Sequence, residues 1–429
     1  MKLRSAILLL ALATSACAGS SPGSDAGSDA GVIDAGPVDA GVADAGPLDA
    51  GEPDAGPADA GPADAGQAEC IPGGDGGYIH APYASISQYC LISLADDGGI
   101  AFDSSVTPYD LNTPLFSDYA LKVRGVWMPA GTSALYDDTN AFSFPTGTVL
   151  IKSFGLRDDS RTPDVRWVET RLLINTGDAG WKGYGYLWND AGNDAAISYG
   201  GGAVPLTWIS ADGGTVQDAE GGTAYYFDAD GGTVKYADGG TNFYPVPSYG
   251  QCQQCHESNS IMTPIGPKAR ELNKNFAYAS GSENELTHWT NAGILTGAPA
   301  DPTQAPKLPV WNDPSTGTVE QRARAYLEAN CAHCHNTGGY AHTTGLFLWA
   351  SETDPTTYGI CKAPVAAGPA TGGNAFDVVP GDPLHSIMIY RMTSTSPGVM
   401  MPLIGRSVVD EEGLGLLNSW ITSLDGGCP

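Results

Sequence analysis

Cys252-Gln-Gln-Cys255-His256 and, 79 residues further on, Cys331-Ala-His-Cys334-His335 both read C-x-x-C-H. At this composition one such pentapeptide is expected by chance roughly 0.003 times, so two carry information. The spacing has a chemical reason. On a helical turn two thiols three positions apart can each add to a haem vinyl group, and the next residue then turns its imidazole toward the iron. A zinc site would need four ligands converging, whereas each pair here has its own His. A thioredoxin-like redox pair does not need the following His. The expectation is two covalently attached c-type haems, with Cys252, Cys255, Cys331 and Cys334 binding the cofactors and His256 and His335 as proximal iron ligands.

Outward from the second motif the pattern is helical. A helix is predicted from a Thr318 cap, closed by Gln321 as a capping box, through Ala325, Tyr326 and Leu327 into Cys331. Another begins after Asp410 and spaces Leu414, Leu417, Ile421 and Leu424 along one face. Between them stands Met400-Met401-Pro402. Met401 is the candidate distal ligand of the second haem, with Met400 and Met392 as fallbacks; a thioether ligand raises the potential of a haem.

The first motif has a different approach. Tyr244-Pro-Val-Pro-Ser-Tyr-Gly250 is interrupted by Pro and Gly and reads as non-helical. Short helices are predicted at Pro267 to Asn273 and Glu283 to Ala292. Met262 and His288 are the reachable candidates for the distal ligand of the first haem, and a vacant position is the third option. His333 and His342 read as exposed, His385 as loop packing, and His80 as structural or exposed.

Between Cys70 and Tyr249 the chain reads as β structure. Apolar and aromatic residues alternate in 148–154, 167–174 and 184–188. Four X-Gly-Gly-Thr segments, at Asp212, Glu220, Asp230 and Asp238, look like hairpin turns, because Gly supplies the positive φ such turns require. The predicted fold class is α+β and multidomain: an N-terminal antiparallel, sandwich-like β domain (70–249), followed by two small, mostly α, cytochrome c-like haem domains (250–315 and 316–429).

The N-terminal seventy residues read as an export segment and a tether. Residues 1–17 carry Lys2, Arg4 and an apolar run from Ile7 to Ala13, the pattern of a signal peptide. Thr14-Ser-Ala-Cys17 resembles a lipobox, whose Cys17 would become a lipidated first residue. Plain cleavage is the other reading, and Ala18 points to outer-membrane sorting. Nine Asp-Ala-Gly units follow between Asp25 and Gly66. This tract of 18–69 has too little apolar surface to offset ordering entropy, and it reads as a solvated linker spanning on the order of 40 Å.

The formal charge of −28 argues against nucleic acid, whose phosphates it would repel. Leaving aside Cys17 and the four motif cysteines, Cys70, Cys90, Cys361 and Cys428 are an even number in an oxidising compartment. Two disulfides follow; proximity suggests Cys70–Cys90 and Cys361–Cys428, although four cysteines allow three pairings.

Residues 319–424 resemble a class I cytochrome c domain, in which the first helix leads into C-x-x-C-H and the last crosses it. From about residue 108 onward the chain resembles a family of exported bacterial dihaem c-type cytochromes of unassigned function. The matching segments include Thr113-Pro-Leu-Phe-Ser-Asp-Tyr-Ala-Leu-Lys-Val-Arg124, Gly180-Trp-Lys-Gly-Tyr-Gly-Tyr-Leu-Trp-Asn189, Gly266-Pro-Lys-Ala-Arg-Glu-Leu-Asn273 and Val379-Pro-Gly-Asp-Pro383. The resemblance implies electron transfer between redox donor and acceptor proteins and supplies no substrate. The alternative is a haem-dependent oxidoreductase, peroxidase-like or coupled to a dehydrogenase, with an open first haem or a substrate-binding β domain. No peroxidase-like acid–base set stands near the first motif, so the carrier is favoured.

Overall fold

Strands whose residues alternate between two apolar faces build a six-stranded antiparallel sheet in this computed structural model. It describes residues 70–71, 73, 76–80, 82–158, 162–206, 216–217, 223–227, 232–235 and 243–429. The strands β1 (Thr107–Tyr109), β2 (Leu121–Trp127), β3 (Val149–Leu156), β4 (Arg166–Asn175), β5 (Trp181–Trp188) and β6 (Ala195–Ile197) are neighbours in chain order. Register sets Ile151 opposite Leu172 and Leu172 opposite Tyr184. With a side-chain period of two, that register sorts the residues onto two faces. Val149, Ile151, Leu172, Ile174, Tyr186 and Trp188 pack on one face against Tyr78, Ile86, Tyr89 and Leu91. Leu150 and Leu173 point to the other face, where they meet Met262, Leu272, Leu286, Trp289 and Leu295.

The protein is therefore mixed α and β, with a mostly antiparallel β region. Two expectations need correction. The β region is not a sandwich of two comparable sheets. One face is covered by the irregular segment from Tyr78 to Leu94, and the other by residues after Tyr249. The smaller strands Val216–Gln217, Thr223–Phe227 and Gly232–Lys235 pair antiparallel among themselves. The Gly-Gly pairs of the four predicted turns lie, with few exceptions, outside the described residues, as do the signal and linker of residues 1–69.

Nor is 250–315 mostly helical. It contains α1 (Tyr249–His256), α2 (Ala269–Leu272) and α3 (Glu285–Asn291), separated by the hairpins Glu257–Ser258/Ile261–Met262 and Asn275–Tyr278/Gly281–Asn284. Its large apolar residues are too few to bury one another and share a core with Tyr109, Val126, Leu150 and Leu173 of the sheet. Leu295–Thr296 also pairs in parallel with Ala134–Leu135. The described residues belong to one compact unit.

The C-terminal part has its own core. Helix α4 (Val319–Leu327) starts at Thr318, whose Oγ1 accepts from Gln321 N at 3.2 Å while Gln321 Oε1 accepts from Thr318 N at 3.0 Å. It runs into a wider π turn, Glu328–Ala332, that carries Cys331. After α5 (Ile387–Thr393) comes α6 (Glu411–Thr422), capped by Asp410, whose carboxylate accepts from Gly413 N at 2.9 Å. A Cβ at Gly413 would collide with the Tyr326 ring, so glycine lets α6 lie close on α4. Tyr326 donates to Asp410 at 2.8 Å. Leu327, Leu414, Leu417, Trp420 and Ile421 fill the crossing, each contributing about 1.5–3 kcal/mol by burial.

Both suggested disulfides are formed: Cys70–Cys90 and Cys361–Cys428, with Cα separations of 5.3 and 5.2 Å. Among the described residues no helix is long and apolar enough to cross a membrane.

Candidate functional site

Helix α1 lies on the sheet at a point cleared of side chains. A Cβ on Gly183 of β5 would stand 3.2 Å from Cys252 Cβ, so the bare strand admits the first cysteine of the first motif. The stretch 244–250, expected to be non-helical throughout, gives its last two residues, Tyr249 and Gly250, to the first turn of α1. Ser248 and Gln251 form a capping box, with Ser248 N donating to Gln251 Oε1 at 2.9 Å, and Gly250 is tolerated in the first turn. This serine and glutamine are the sequence signal for that helix.

The two motifs, 79 residues apart in sequence, meet in space. Cys334 Sγ donates to the Gln254 carbonyl at 3.6 Å, Asn259 N donates to the Gly338 carbonyl at 2.8 Å, and the Cys255 and Cys334 thiols touch. All four motif cysteines are free thiols. Together with His256 and His335 they line one cavity of about 480 Å³. Burial pushes the Cys331 thiol up to about 12 and raises that of Cys252, so both are held protonated. Among the described residues no group of three or more His, Cys, Asp and Glu side chains converges as a metal centre.

Each imidazole is poised as a neutral base. His256 Nδ1 is 2.8 Å from the Thr263 carbonyl, which fixes the ring and its tautomer. Burial lowers its pKa to about 4. His335 is lowered to about 4 as well, by burial and then by neighbouring His333; its buried Nδ1 lies near the Leu346 backbone without completing a hydrogen bond. His333 itself corrects the expectation of exposure. It is buried, lines the cavity, and its Nδ1 has no hydrogen-bond partner among the described residues. His342 and His80 are exposed, and so is His385, which faces solvent beside Asp382.

Met401 and Pro402 line the same cavity as His335, as does Met392, whereas Met400 does not. The loop bearing Met401 is anchored by Arg406, whose guanidinium donates to the carbonyls of Met401 (2.8 Å), Ser394 (2.8 Å) and Val408 (2.9 Å). The other two candidates lie elsewhere. Met262 is packed in the core with Leu173 and Leu272. His288 stacks on Tyr278 with ring centroids 3.5 Å apart and meets Glu283 at 2.8 Å. Neither lines the cavity.

A segment whose role sequence reasoning missed, Asn112 to Tyr119, ties the sheet to both motif regions. Thr113 N donates to Glu271 at 2.9 Å, Phe116 N to Asn330 at 2.7 Å, and buried Asp118 accepts from Ser407 N and Val408 N at 2.7 and 3.0 Å. These partners are more than 150 residues away, and one sequence carries no signal for them.

The charge of the cavity wall is the reverse of the chain's. The sheet contributes Arg124, Lys152 and Arg171, the loops Lys268 and Lys362, and the C-terminal part Arg391 and Arg406. Against these seven stand four carboxylates, Glu271, Glu328, Asp377 and Asp410, on a chain of charge −28. Several cations are matched: Lys268 with Glu328 at 3.6 Å, Lys362 with Asp377 at 3.3 Å, and Arg171 with Glu169. Among the described residues Lys152 has no such match; burial and the neighbouring Arg124, Lys122 and Arg171 pull it well below the usual ammonium range. No protein-family model, curated protein or solved structure matches this chain.

Proposed function

We propose that this chain is a dihaem c-type cytochrome that passes electrons between a donor and an acceptor protein. The observation that carries the reading is the meeting of two C-x-x-C-H motifs at one cavity. Four unpaired thiols, two neutral imidazoles and an excess of cations line that cavity. Cys252, Cys255, Cys331 and Cys334 would hold the two groups by thioether bonds. His256 and His335 would be the proximal ligands and Met401 the distal ligand of the second. When bound, haem supplies an iron centre that gains and loses one electron. The chain orients the imidazoles, excludes water with the cores around α1 and α4, and sets the attachment points side by side, which suits exchange between the two centres.

The α4–α6 crossing at Gly413 and Tyr326 supports a class I cytochrome c-like unit in 319–424, within the wider dihaem family likeness. Export, lipid attachment at Cys17 and an outer-membrane position belong to the same proposal.

A second reading is favoured by one observation. Met262 and His288 both lie outside the cavity, which suits a first haem open to a small ligand, as in a haem-dependent oxidoreductase. Visible spectra of the ferric and ferrous protein, with and without carbon monoxide, decide between them. Two low-spin centres that ignore carbon monoxide and titrate as two one-electron steps fit the carrier. A high-spin ferric band and carbon monoxide binding at one centre fit the enzyme. Absence of any haem band after expression with working cytochrome maturation overturns both.

A further inference from the structure

We infer that Arg124 and Lys152, on the cavity face of the sheet, form the binding site for a propionate carboxylate of the haem attached at the first motif. The β region thereby becomes part of that haem's site. This rests on the dihaem reading above.

The sheet register carries the inference. Arg124 of β2 lies directly opposite Lys152 of β3, and Lys152 directly opposite Arg171 of β4. Three cations thus stand side by side across three strands, on one face. Like charges in such cross-strand positions repel, so the arrangement calls for anions. Arg171 has Glu169, which also accepts from Tyr244 at 2.6 Å. Arg124 Nη1 has Asp110 at 2.6 Å, but Asp110 is shared with Lys274 at 3.0 Å, and the buried Arg124 Nη2 has no hydrogen-bond partner among the described residues. Lys152 has no hydrogen bond or ion pair among the described residues; its ammonium lies 4.8 Å from the centre of the Phe154 ring. Lys122, two residues before Arg124, adds further positive charge and donates to the Ala120 carbonyl at 2.9 Å.

Arg124 and Lys152 line the cavity that contains Cys252, Cys255 and His256. Gly183, the contact for Cys252, is opposite Leu173, two residues from Arg171 on the same face. An open guanidinium nitrogen and an ammonium on directly opposite residues of neighbouring strands are a donor set for one carboxylate, held by charge-assisted hydrogen bonds. Haem carries two carboxylates on the ring edge opposite its vinyl groups, and a ring attached through Cys252 at Gly183 on β5 would reach across β4 toward β3 and β2 on this face. A free small anion is the other source of the same chemistry.

The test uses the haem-loaded full chain and its Lys152→Met and Lys152→Arg variants, followed by spectroelectrochemical titration of both haems and by the propionate bending band in resonance Raman spectra. A cation beside a propionate favours ferrous iron. Lys152→Met should therefore lower the potential of the first haem and leave the second unchanged. The electron-exchange equilibrium between them should move about tenfold toward the second haem, the scale of one charge roughly 10 Å away at an effective dielectric of ~20. Lys152→Arg should restore it, and the Raman band should shift in the Met variant only. Unchanged potentials in Lys152→Met would overturn the inference. So would a wild-type potential that moves on adding formate or nitrite while the Met variant does not respond, since the site would then hold a free anion. Loss of haem from the wild-type chain itself would instead mark failure of the dihaem reading.

Discussion

Replacing Gly183 probes the contact on which the first motif is built. A Cβ there would lie 3.2 Å from Cys252 Cβ and 3.6 Å from its Sγ. Carbon atoms pack best at about 3.5–4.0 Å, so Gly183→Ala obliges α1 to give way by a few tenths of an ångström. The unfolded chain meanwhile loses freedom, which returns about 0.4–1 kcal/mol. The alanine variant is expected within about 1 kcal/mol of the wild type. Gly183→Val adds two further methyl groups to a gap already filled, and overpacking of this kind costs about 1–3 kcal/mol. Denaturant unfolding followed by circular dichroism measures both. Cys252→Ala supplies a double-mutant cycle: with the sulfur removed, the Gly183→Val substitution should cost about 1 kcal/mol less, a coupling typical of residues in contact. Equal stabilities for the Ala and Val variants, or zero coupling with Cys252, would refute the packing of α1 on the sheet.

Three other perturbations have definite outcomes. The Cys361→Ser, Cys428→Ser double variant opens a loop of 67 residues and should lose about 2–5 kcal/mol, seen as a lower denaturation midpoint that reductant no longer changes further through that bridge. Glu285 is buried, with Oε1 accepting from Asp110 N at 2.8 Å and Oε2 unpartnered, and burial raises its pKa to about 8 from 4.5. The folded state then binds the proton more tightly than the unfolded, so stability falls as pH rises between about 4.5 and about 8; Glu285→Gln should flatten that slope by a few kcal/mol and be the more stable form at pH above 8 in thermal scans. Met401→Ala should abolish the near-infrared sulfur-to-iron band of the second haem and let carbon monoxide bind, while Met400→Ala, outside the cavity, should do neither.

Local signals read well in this chain. The Thr318 and Gln321 capping box, the start of the last helix after Asp410 and the helical turn of the first C-x-x-C-H motif all follow from residues within four positions of one another, whereas the second motif has only Cys331 of its two cysteines in the π turn. Ser248 and Gln251 are equally local, yet Gly250 and the prolines before them obscure the start of α1. What does not read is everything set by register and long-range packing. Lys152 and Arg171 alternate with Leu and Ile as residues of a solvated sheet face do, and only the pairing of β3 with β4 reveals that they share one face, toward the cavity. Asp118 and Asn112 look like ordinary loop polars, but their partners are remote. His333 lies between two cysteines of an exposed-looking motif, and it is buried because the other motif covers it.

Intact mass after denaturation and acid–acetone extraction tests the central claim most directly. The mature chain expressed with working cytochrome maturation should keep its red colour and carry the mass of two haems, with Cys252→Ser/Cys255→Ser and Cys331→Ser/Cys334→Ser each removing one. A colourless polypeptide of unmodified mass, or a single haem unaffected by one of the two pairs, would contradict it.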